Sequence, residues 1–285
     1  MATSIAQYFD DTVRRLVPVT GADEAKDTAR IIFEDTAGYD RKFIFINGNR
    51  ELSDFKKSLI DSIVDKVLAG EPVQYAVGRA RFMGNDYIVD PSVLIPRPET
   101  AGLVDLITAR YGDCNDLQVL DIGTGSGCIA ISLARALPFC RVDAIDISAA
   151  ALDVARRNAA ALKAKVNFIR SDILTAAPPH ARYDIIVSNP PYISESEKSE
   201  MDSRVLDYEP HAALFVPDSD PLLFYRAIAR YGIKALKPGG RLYFEINSLY
   251  AVQMRDMLAD EGYSDIDVQR DYRGNYRFAT AVLPQ

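Results

Sequence analysis

From residue 117 onward, segments typical of strands alternate with segments typical of helices, and this alternation constrains the fold more than any other feature. Helical patterns at Cys128–Leu137, Ala149–Leu162 and Leu222–Leu236 separate short apolar runs. Strands that alternate with helices predict a mostly parallel sheet that is covered by helices on both faces. The predicted strands are Leu117–Ile122, Arg141–Ile147, Val166–Arg170, Tyr183–Ser188 and Arg241–Ile246.

The end of the chain departs from this alternation. Asp265–Arg270 and Arg277–Leu283 both read as strands, and no helical pattern lies between them. We therefore expect them to pair antiparallel, because parallel strands need a longer crossover connection. An α/β domain with a doubly wound, mostly parallel sheet and a C-terminal antiparallel hairpin resembles the class I methyltransferase fold.

The N-terminal quarter of the chain instead predicts a small helical bundle. Ser53–Ala69 has a continuous apolar face, and Gly70 suits the position that ends a helix. Ile5–Leu16 and Asp23–Ala37 show similar periodicity. We predict an N-terminal helical domain at residues 1–75.

A change of pattern follows the helical region. Ala76–Asp90 contains glycines, aromatic residues and short alternation, which predicts a β-hairpin. The segment Ile95–Thr100 contains two prolines, which exclude a regular helix and stiffen the chain. We therefore predict a hairpin and proline-rich linker at 76–100, followed by the methyltransferase-like domain at 101–285.

Composition excludes several classes of function. The 33 Lys and Arg against 40 Asp and Glu give a net charge of −7, which argues against a protein that binds duplex nucleic acid. With 2 histidines and 3 scattered cysteines, the chain predicts no metal site, no disulfide framework and a reducing compartment. The sequence shows no signal peptide and no membrane-spanning stretch, so we expect a cytoplasmic protein that does not bind membranes.

A glycine-rich turn connects the first predicted strand of the sheet to the first helix. It consists of Gly123, Thr124, Gly125, Ser126 and Gly127. Glycines allow a sharp turn and the close approach of a ligand, and the amides of the helix N-terminus favour a negative group. The pattern GxGxG differs from the GxGxxG of dinucleotide-binding proteins and is more usual for S-adenosylmethionine.

Two acidic residues follow the next two predicted strands. Asp146 closes the second strand, where a carboxylate can accept both hydrogen bonds of a ribose diol. Asp172 follows the third strand and would lie near an adenine, from whose amino group it can accept a hydrogen bond. A loop aspartate exposed to water is the other interpretation of Asp172. The turn and Asp146 together favour a ribose-containing cofactor.

The fourth predicted strand leads into the tetrapeptide Asn189, Pro190, Pro191 and Tyr192. Ligands of open α/β sheets bind beyond the carboxyl ends of the strands, so this tetrapeptide should face the glycine-rich turn. The Asn189 side-chain oxygen and the Pro190 carbonyl offer two acceptors for a planar NH2 group, and Tyr192 offers a flat face. Two such acceptors can aim the nitrogen lone pair at a sulfonium methyl group without a strong base.

These motifs resemble the family of release factor glutamine methyltransferases (the HemK or PrmC family). The resemblance implies methyl transfer from S-adenosylmethionine to the glutamine side-chain nitrogen in the Gly-Gly-Gln motif of class 1 peptide chain release factors. It also implies that the loop containing Asp172 and Ile173 covers the adenine, and that Asn189 contacts both cofactor and substrate. The N-terminal helical domain would then be the substrate-recognition domain that grips the release factor. The matching segments are Glu71–Tyr75, Phe82–Gly84, Leu94–Thr100, Asp121–Ala130, Asp146–Ser148, Asn189–Ile193, Tyr208–Pro210 and Ala213–Leu214.

Other interpretations remain at this point. An adenine-N6 methyltransferase acting on DNA or RNA would also present a planar NH2 group to the tetrapeptide. A cofactor-binding module without catalysis and a nicotinamide-dependent dehydrogenase fit the motifs less well. Glu209 is either a structural brace or part of a substrate groove, and Ala101 stands where many relatives carry an acid, which weakens any role of Thr100 in the cofactor pocket.

Overall fold

A computed structural model describes residues 3–285 of the chain. The helices, in chain order, are α1 (Ile5–Ile32), α2 (Arg41–Asn47), α3 (Asp54–Leu68), α4 (Val73–Val77), α5 (Ala101–Tyr111), α6 (Cys128–Ala136), α7 (Ala149–Ala161), α8 (Ser203–Tyr208), α9 (Leu223–Ala235) and α10 (Ala251–Asp260). The strands are β1 (Arg79–Phe82), β2 (Asn85–Ile88), β3 (Gln118–Ile122), β4 (Arg141–Asp146), β5 (Val166–Arg170), β6 (Tyr183–Ser188), β7 (Ile193–Ser194), β8 (Phe215–Val216), β9 (Leu236–Glu245), β10 (Ser264–Arg270) and β11 (Tyr276–Val282).

The described chain divides into two compact units. The helical unit contains residues up to Arg79 together with Asp202–Tyr208, and the sheet unit contains Ala80–Met201 and Glu209–Gln285. In this division the predicted hairpin, between the boundaries of 75 and 100, belongs almost wholly to the sheet unit. Phe82 and Tyr87 pack edge to face at 6.0 Å, and both are buried in the core of the sheet unit.

The helical unit begins with the long element α1. Gly21, at φ 80° and ψ 161°, is not helical, so α1 is two helices joined at this residue, as the sequence predicts. The Thr20 hydroxyl donates to the carbonyl of Leu16, one turn earlier in the first of these two helices. The second of these helices continues into a π-helical segment, Phe33–Ala37. This segment ends at Gly38, which has the left-handed backbone conformation.

The other helices of this unit include three that the sequence analysis missed, α2, α4 and α8. Helix α3 matches its prediction and is capped by Ser53, whose side chain accepts the amide hydrogen of Lys56. Helix α2 is capped by Asp40, whose carboxylate accepts from the amide of Phe43 at 2.6 Å. The short α8 was also missed, because its anchor is distant in sequence: the Tyr208 hydroxyl donates to the carbonyl of Ala69.

The sheet unit contains the predicted doubly wound arrangement. Seven strands of the described chain form one sheet in the order β10-β11-β9-β6-β3-β4-β5. The pairs from β9 to β5 are all parallel, and β11 pairs antiparallel with both β9 and β10. This confirms a mostly parallel sheet that ends in an antiparallel hairpin.

The predicted boundaries in the sheet unit are accurate except at β9. Helices α6, α7 and α9 agree with their predicted ranges to within one residue at each end. Strand β9 begins at Leu236 rather than Arg241, because Leu236 already pairs with Tyr183 before a register shift. The glycine and proline residues at 238–240 hid this early start in the sequence pattern.

The topology brings three chain segments to one edge of the sheet. Strands β3, β4 and β6 are parallel neighbours, so the residues that follow Ile122, Asp146 and Ser188 emerge at the same edge. Apolar clusters on both faces of the sheet hold these strands rigidly in register. Candidate ligand-binding residues therefore sit on a rigid scaffold. None of the helices in the described part of the chain is both long and apolar enough to cross a membrane.

Candidate active site

A cavity of about 400 Å³ lies within the sheet unit at the carboxyl ends of the parallel strands. It brings together most of the residues that the sequence analysis singled out. Gly127 and Tyr192 are the two predicted residues that do not line it. The predicted residues in its wall are Gly123, Thr124, Gly125, Ser126, Asp146, Asp172, Ile173, Asn189, Pro190 and Pro191.

The glycine-rich turn forms one side of the cavity. The amides of Gly123 and Thr124 donate to the carbonyl of Ile145 at 2.9 and 3.1 Å, which ties the turn to strand β4. Gly123 and Gly125 have positive φ angles, and a Cβ atom on either would meet nothing within 4 Å. The backbone of the turn therefore borders open space that a ligand can fill.

Gly127 has a different role from the other two glycines. It also has a positive φ, of 81°, but a Cβ there would lie 2.9 Å from Ile131 Cδ1 and 3.2 Å from Ala155 Cβ. The third glycine is thus required for close packing of the turn against helices α6 and α7.

This difference predicts unequal effects of two alanine substitutions. Gly125→Ala should cost about 1 kcal/mol of stability, because only the left-handed backbone is strained. Gly127→Ala should cost about 2–3 kcal/mol, because the methyl group also overpacks the core. Urea unfolding of both variants measures the difference, and equal losses would contradict the assigned packing role.

Asp146 is fixed beside the turn. Its Oδ2 accepts from the amide of Gly125 at 2.9 Å, and its Oδ1 accepts from the amide of Ser148 at 2.9 Å. Burial raises the pKa of this carboxyl group, and the amide donors oppose the shift. Each carboxylate oxygen keeps a lone pair for a further donor, such as a hydroxyl group of a ribose diol.

Asp121, at the end of β3, is fully buried behind the turn. Its Oδ2 accepts from the Thr124 hydroxyl at 2.7 Å and from the Ala130 amide at 3.2 Å. Its Oδ1 has no hydrogen-bond partner among the described residues. Burial raises the pKa of Asp121 to about 7, so this carboxyl group is uncharged in acid and becomes costly to bury when it ionises.

The raised pKa of Asp121 predicts a pH-dependent stability. Its folded-state pKa lies above the unfolded value, so its contribution is complete below pH about 4 and is lost as pH rises through about 7. As the pH rises over this range, the free energy of unfolding of the wild type should fall by several kcal/mol relative to that of Asp121→Asn. The size of the change follows because a tenfold difference in proton affinity between the folded and unfolded states corresponds to about 1.4 kcal/mol. Urea unfolding at several pH values measures it, and a constant difference between the proteins would contradict the assignment.

The tetrapeptide after β6 forms the opposite wall of the cavity. The Ser188 hydroxyl donates to the carbonyl of Ile122 at 2.7 Å, which fixes the end of β6 against β3. The Asn189 Nδ2 group donates to Thr100 Oγ1 at 3.3 Å, so the amide oxygen Oδ1 is left for another partner. Asn189, Pro190 and Pro191 all line the cavity.

Tyr192 points away from the lining of the cavity. Its ring packs against the core cluster of the sheet, and its hydroxyl donates to Glu245 Oε1 at 3.3 Å. Burial raises the pKa of the Tyr192 hydroxyl well above its usual range, and the nearby Glu245 adds to the shift. The stacking role predicted for Tyr192 is therefore not visible in the cavity wall.

Glu245 is a site residue that the sequence analysis did not assign, and it contacts Thr100, for which a role in the cofactor pocket was only weakly predicted. Glu245 lies at the carboxyl end of β9 and accepts the Thr100 hydroxyl at 2.7 Å through Oε2. Burial raises its pKa, whereas the Thr100 hydroxyl and the charge of Arg277 oppose the rise. The available signal was a single acid within the otherwise apolar run 242–246.

Glu209 is a structural brace rather than part of the cavity wall. Its Oε1 pairs with the Arg97 guanidinium at 2.5 Å, and its Oε2 accepts from the Ile95 amide at 3.2 Å. This carboxylate thereby holds the proline-rich segment that carries Arg97 and Thr100 into the cavity. His211 lies in a short turn with its ring edge-on to Phe215, at 5.2 Å.

The remaining cavity residues suit a flat, apolar ring. Ile147 and Leu174 are 57% and 46% exposed, and both contribute apolar side chains to the wall. Asp172 Oδ1 accepts from the amide of Leu174 at 2.9 Å, which holds the loop after β5 in shape. No group of residues capable of holding a metal ion occurs in the described range 3–285.

Comparisons with known proteins agree with this geometry. Two family models match the chain, "Methyltransferase small domain" over residues 100–207 and "PrmC N-terminal domain" over residues 12–78. A methyltransferase structure from Pyrococcus furiosus is similar to the fold, with a TM-score of 0.52 at 18% identity over 78% of this chain and 98% of that one. A 16S rRNA N2 G1207 methyltransferase from T. thermophilus is also similar in fold (TM-score 0.51, 21% identity, 72% of this chain and 49% of that one).

The fold and the cavity define an S-adenosylmethionine-dependent class I methyltransferase. A release factor glutamine methyltransferase from Bacteroides thetaiotaomicron is 47% identical over 97% of this chain and 98% of its own length. Its counterpart from Flavobacterium psychrophilum is 37% identical over 96% and 97%. The chain therefore belongs to the family of release factor glutamine methyltransferases.

The residues of the cavity fit S-adenosylmethionine. The open space beside Gly123 and Gly125 admits a ligand that approaches the backbone closely. The carboxylate of Asp146, which is fixed by the amide of Gly125, suits a ribose diol. The apolar side chains of Ile147 and Leu174 in the wall suit an adenine ring. These features match a cofactor that carries a ribose and an adenine, as S-adenosylmethionine does.

Proposed function

We propose that this protein transfers a methyl group from S-adenosylmethionine to the side-chain amide nitrogen (N5) of the glutamine in the Gly-Gly-Gln motif of class 1 peptide chain release factors. The observation that carries the proposal is the orientation of Asn189. Its NH2 group is engaged by Thr100, which leaves its oxygen available in the cavity beside Pro190. The names of the relatives support the same substrate.

A carboxamide nitrogen is a weak nucleophile, because its lone pair is delocalised into the carbonyl group. In our proposal, Asn189 Oδ1 and the Pro190 carbonyl each accept one hydrogen of the substrate NH2 group. The two hydrogen bonds fix the nitrogen in one orientation and raise its electron density. Positioning of this kind can lower a reaction barrier by about 7–11 kcal/mol. This is more than the free energy that any one hydrogen bond contributes to binding.

The site requires no general base. A methylated carboxamide nitrogen is strongly acidic and gives its extra proton to water after the transfer. The residues of the tetrapeptide therefore bind and orient the amide, and none of them has to remove a proton beforehand. We assign Tyr192 to this machinery through its hydrogen bond to Glu245, which supports the tetrapeptide from behind.

The cofactor would be held by the opposite wall. We assign its contacts to the glycine-rich turn, to Asp146 at the ribose, to Asp172 and Ile173 at the adenine, and to Asn189. When bound, S-adenosylmethionine supplies a methyl group on a positively charged sulfur. The apolar side chains of Ile147 and Leu174 would be covered by the adenine and would exclude water from it.

The partner follows from the proposed substrate. We assign recognition of the release factor to the helical unit, whose matching family model is described as "PrmC N-terminal domain". A net charge of −7 supports a protein substrate over duplex nucleic acid. We place the activity in the cytoplasm, where release factors act on ribosomes.

Transfer of a labelled methyl group tests the proposal. The purified protein is incubated with labelled S-adenosylmethionine and a release factor, either wild type or with the motif glutamine changed to alanine. We expect label in the wild-type factor alone. A parallel reaction with adenine-containing DNA and RNA tests the adenine-N6 alternative, and labelling of nucleic acid or of both factors would contradict the proposal.

A further inference from the structure

Thr100 joins two parts of the candidate site that are far apart in the sequence. It is 2% exposed and lines the cavity. Its hydroxyl donates to Glu245 Oε2 at 2.7 Å, and its oxygen accepts from Asn189 Nδ2 at 3.3 Å. Glu245 also accepts the Tyr192 hydroxyl at its other oxygen, at 3.3 Å.

The direction of these hydrogen bonds determines which way the Asn189 amide faces. A hydroxyl group has one hydrogen, and Thr100 gives it to the carboxylate. Its oxygen can then only accept, so the side of Asn189 that faces it must be the NH2 group. The reversed amide would place two oxygen atoms against each other with no hydrogen between them.

The hydrogen bonds at Glu245 sustain this direction. Its Oε2 accepts the Thr100 hydroxyl and its Oε1 accepts the Tyr192 hydroxyl, so both carboxyl oxygens act as acceptors. Burial raises the pKa of Glu245, and the Thr100 hydroxyl, the charge of Arg277 and the Tyr192 hydroxyl oppose the rise. Because both oxygens of Glu245 accept, Thr100 is the donor, and the hydrogen bonds from Asn189 through Thr100 to Glu245 all run in one direction.

We propose that Glu245 and Thr100 are positioning residues that keep the Asn189 amide oxygen directed at the substrate nitrogen. The inference rests on the proposed function, because it assumes that Asn189 Oδ1 accepts a hydrogen of the substrate amide. Neither residue has to touch the reacting atoms for this role. Their contribution is to exclude the reversed Asn189 amide, which would present its NH2 group to the NH2 group of the substrate.

Substitutions at Thr100 test the inference in steady-state assays. Thr100→Val keeps the shape and removes the acceptor, so we expect kcat to fall about 10- to 100-fold with the release-factor KM changed less than about threefold. Thr100→Ser restores the hydroxyl and should restore kcat to within about threefold. Thr280→Val, a buried threonine on β11 outside the cavity, is the matched control and should leave kcat unchanged.

A substitution at Glu245 separates orientation from packing. Glu245→Gln keeps the shape, but its amide can donate to Thr100, so the Thr100 hydrogen becomes free to pair with a reversed Asn189. We expect kcat to fall about tenfold, with affinity for S-adenosylhomocysteine within about threefold of wild type by calorimetry. Full activity in both Thr100→Val and Glu245→Gln would overturn the proposal, as would failure of serine to rescue.

A measurement without turnover distinguishes this inference from the proposed function. In protein labelled with 15N-asparagine, the side-chain NH2 signal of Asn189 should exchange slowly with solvent in wild type and rapidly in Thr100→Val. Loss of protection in Thr100→Val supports the positioning role even if the release factor is not methylated. Equal exchange in the two proteins overturns it, whatever the substrate proves to be.

Discussion

Replacing Asn189 with alanine is expected to lower kcat for methyl transfer by about 100- to 1000-fold, the range found when one preorganised polar group is removed from an active site. The reason is that the carboxamide loses one of its two acceptors and rotates freely in the cavity. Binding of S-adenosylmethionine should stay within an order of magnitude, because the glycine-rich turn and Asp146 hold the cofactor from the opposite wall. Single-turnover kinetics and calorimetry measure the two effects separately.

A matched substitution controls for a general effect of losing an asparagine. Asn275 lies in the exposed turn between β10 and β11, and its side chain makes no contact with the cavity. Asn275→Ala should therefore keep wild-type kcat. Near-normal turnover by Asn189→Ala would contradict the two-acceptor mechanism, and so would a parallel loss in both variants.

Replacing Asp146 with alanine is expected to raise the Kd for S-adenosylmethionine by about 100-fold or more. The carboxylate offers two charge-assisted hydrogen bonds to a ribose diol, each worth about 1.5–3 kcal/mol. The substitution also removes the acceptor for the amides of Gly125 and Ser148, so the turn loses its support. Isothermal titration calorimetry with S-adenosylhomocysteine as the ligand provides the measurement.

Asp153 provides the control for this substitution. It lies on the exposed side of α7 and pairs with Arg156 at 2.8 Å, away from the cavity. Asp153→Ala should bind the ligand like wild type. An Asp146→Ala variant whose Kd stays within about threefold of wild type would show that the ribose is held elsewhere.

Most of the sheet unit could be predicted from local patterns. Strands β5 and β6 have the predicted bounds, because their apolar runs are flanked by polar or turn-forming residues. The glycine-rich turn and Asp146 could be predicted because each follows a strand of the same parallel sheet. At the shared edge of such a sheet, motifs that are separate in the sequence lie next to each other in space.

The parts that the sequence analysis missed depend on contacts between distant residues. Thr100 and Glu245 are 145 positions apart, and no local pattern pairs them. The contacts of Tyr192 also join distant residues, since its hydroxyl donates to Glu245, 53 positions away, and its ring packs into the core. Residues 202–208 belong to the helical unit through a contact between distant residues as well, because Arg204 forms an ion pair with Glu24 at 3.0 Å.

The central claim is that Asn189 Oδ1 and the Pro190 carbonyl together bind the substrate carboxamide. A crystal structure of the protein with S-adenosylhomocysteine and a peptide containing the Gly-Gly-Gln motif tests it directly. We predict that the glutamine side-chain nitrogen lies within about 3 Å of both oxygen atoms. A glutamine amide bound outside the cavity, or one that presents its oxygen to Asn189 and Pro190, would contradict the account.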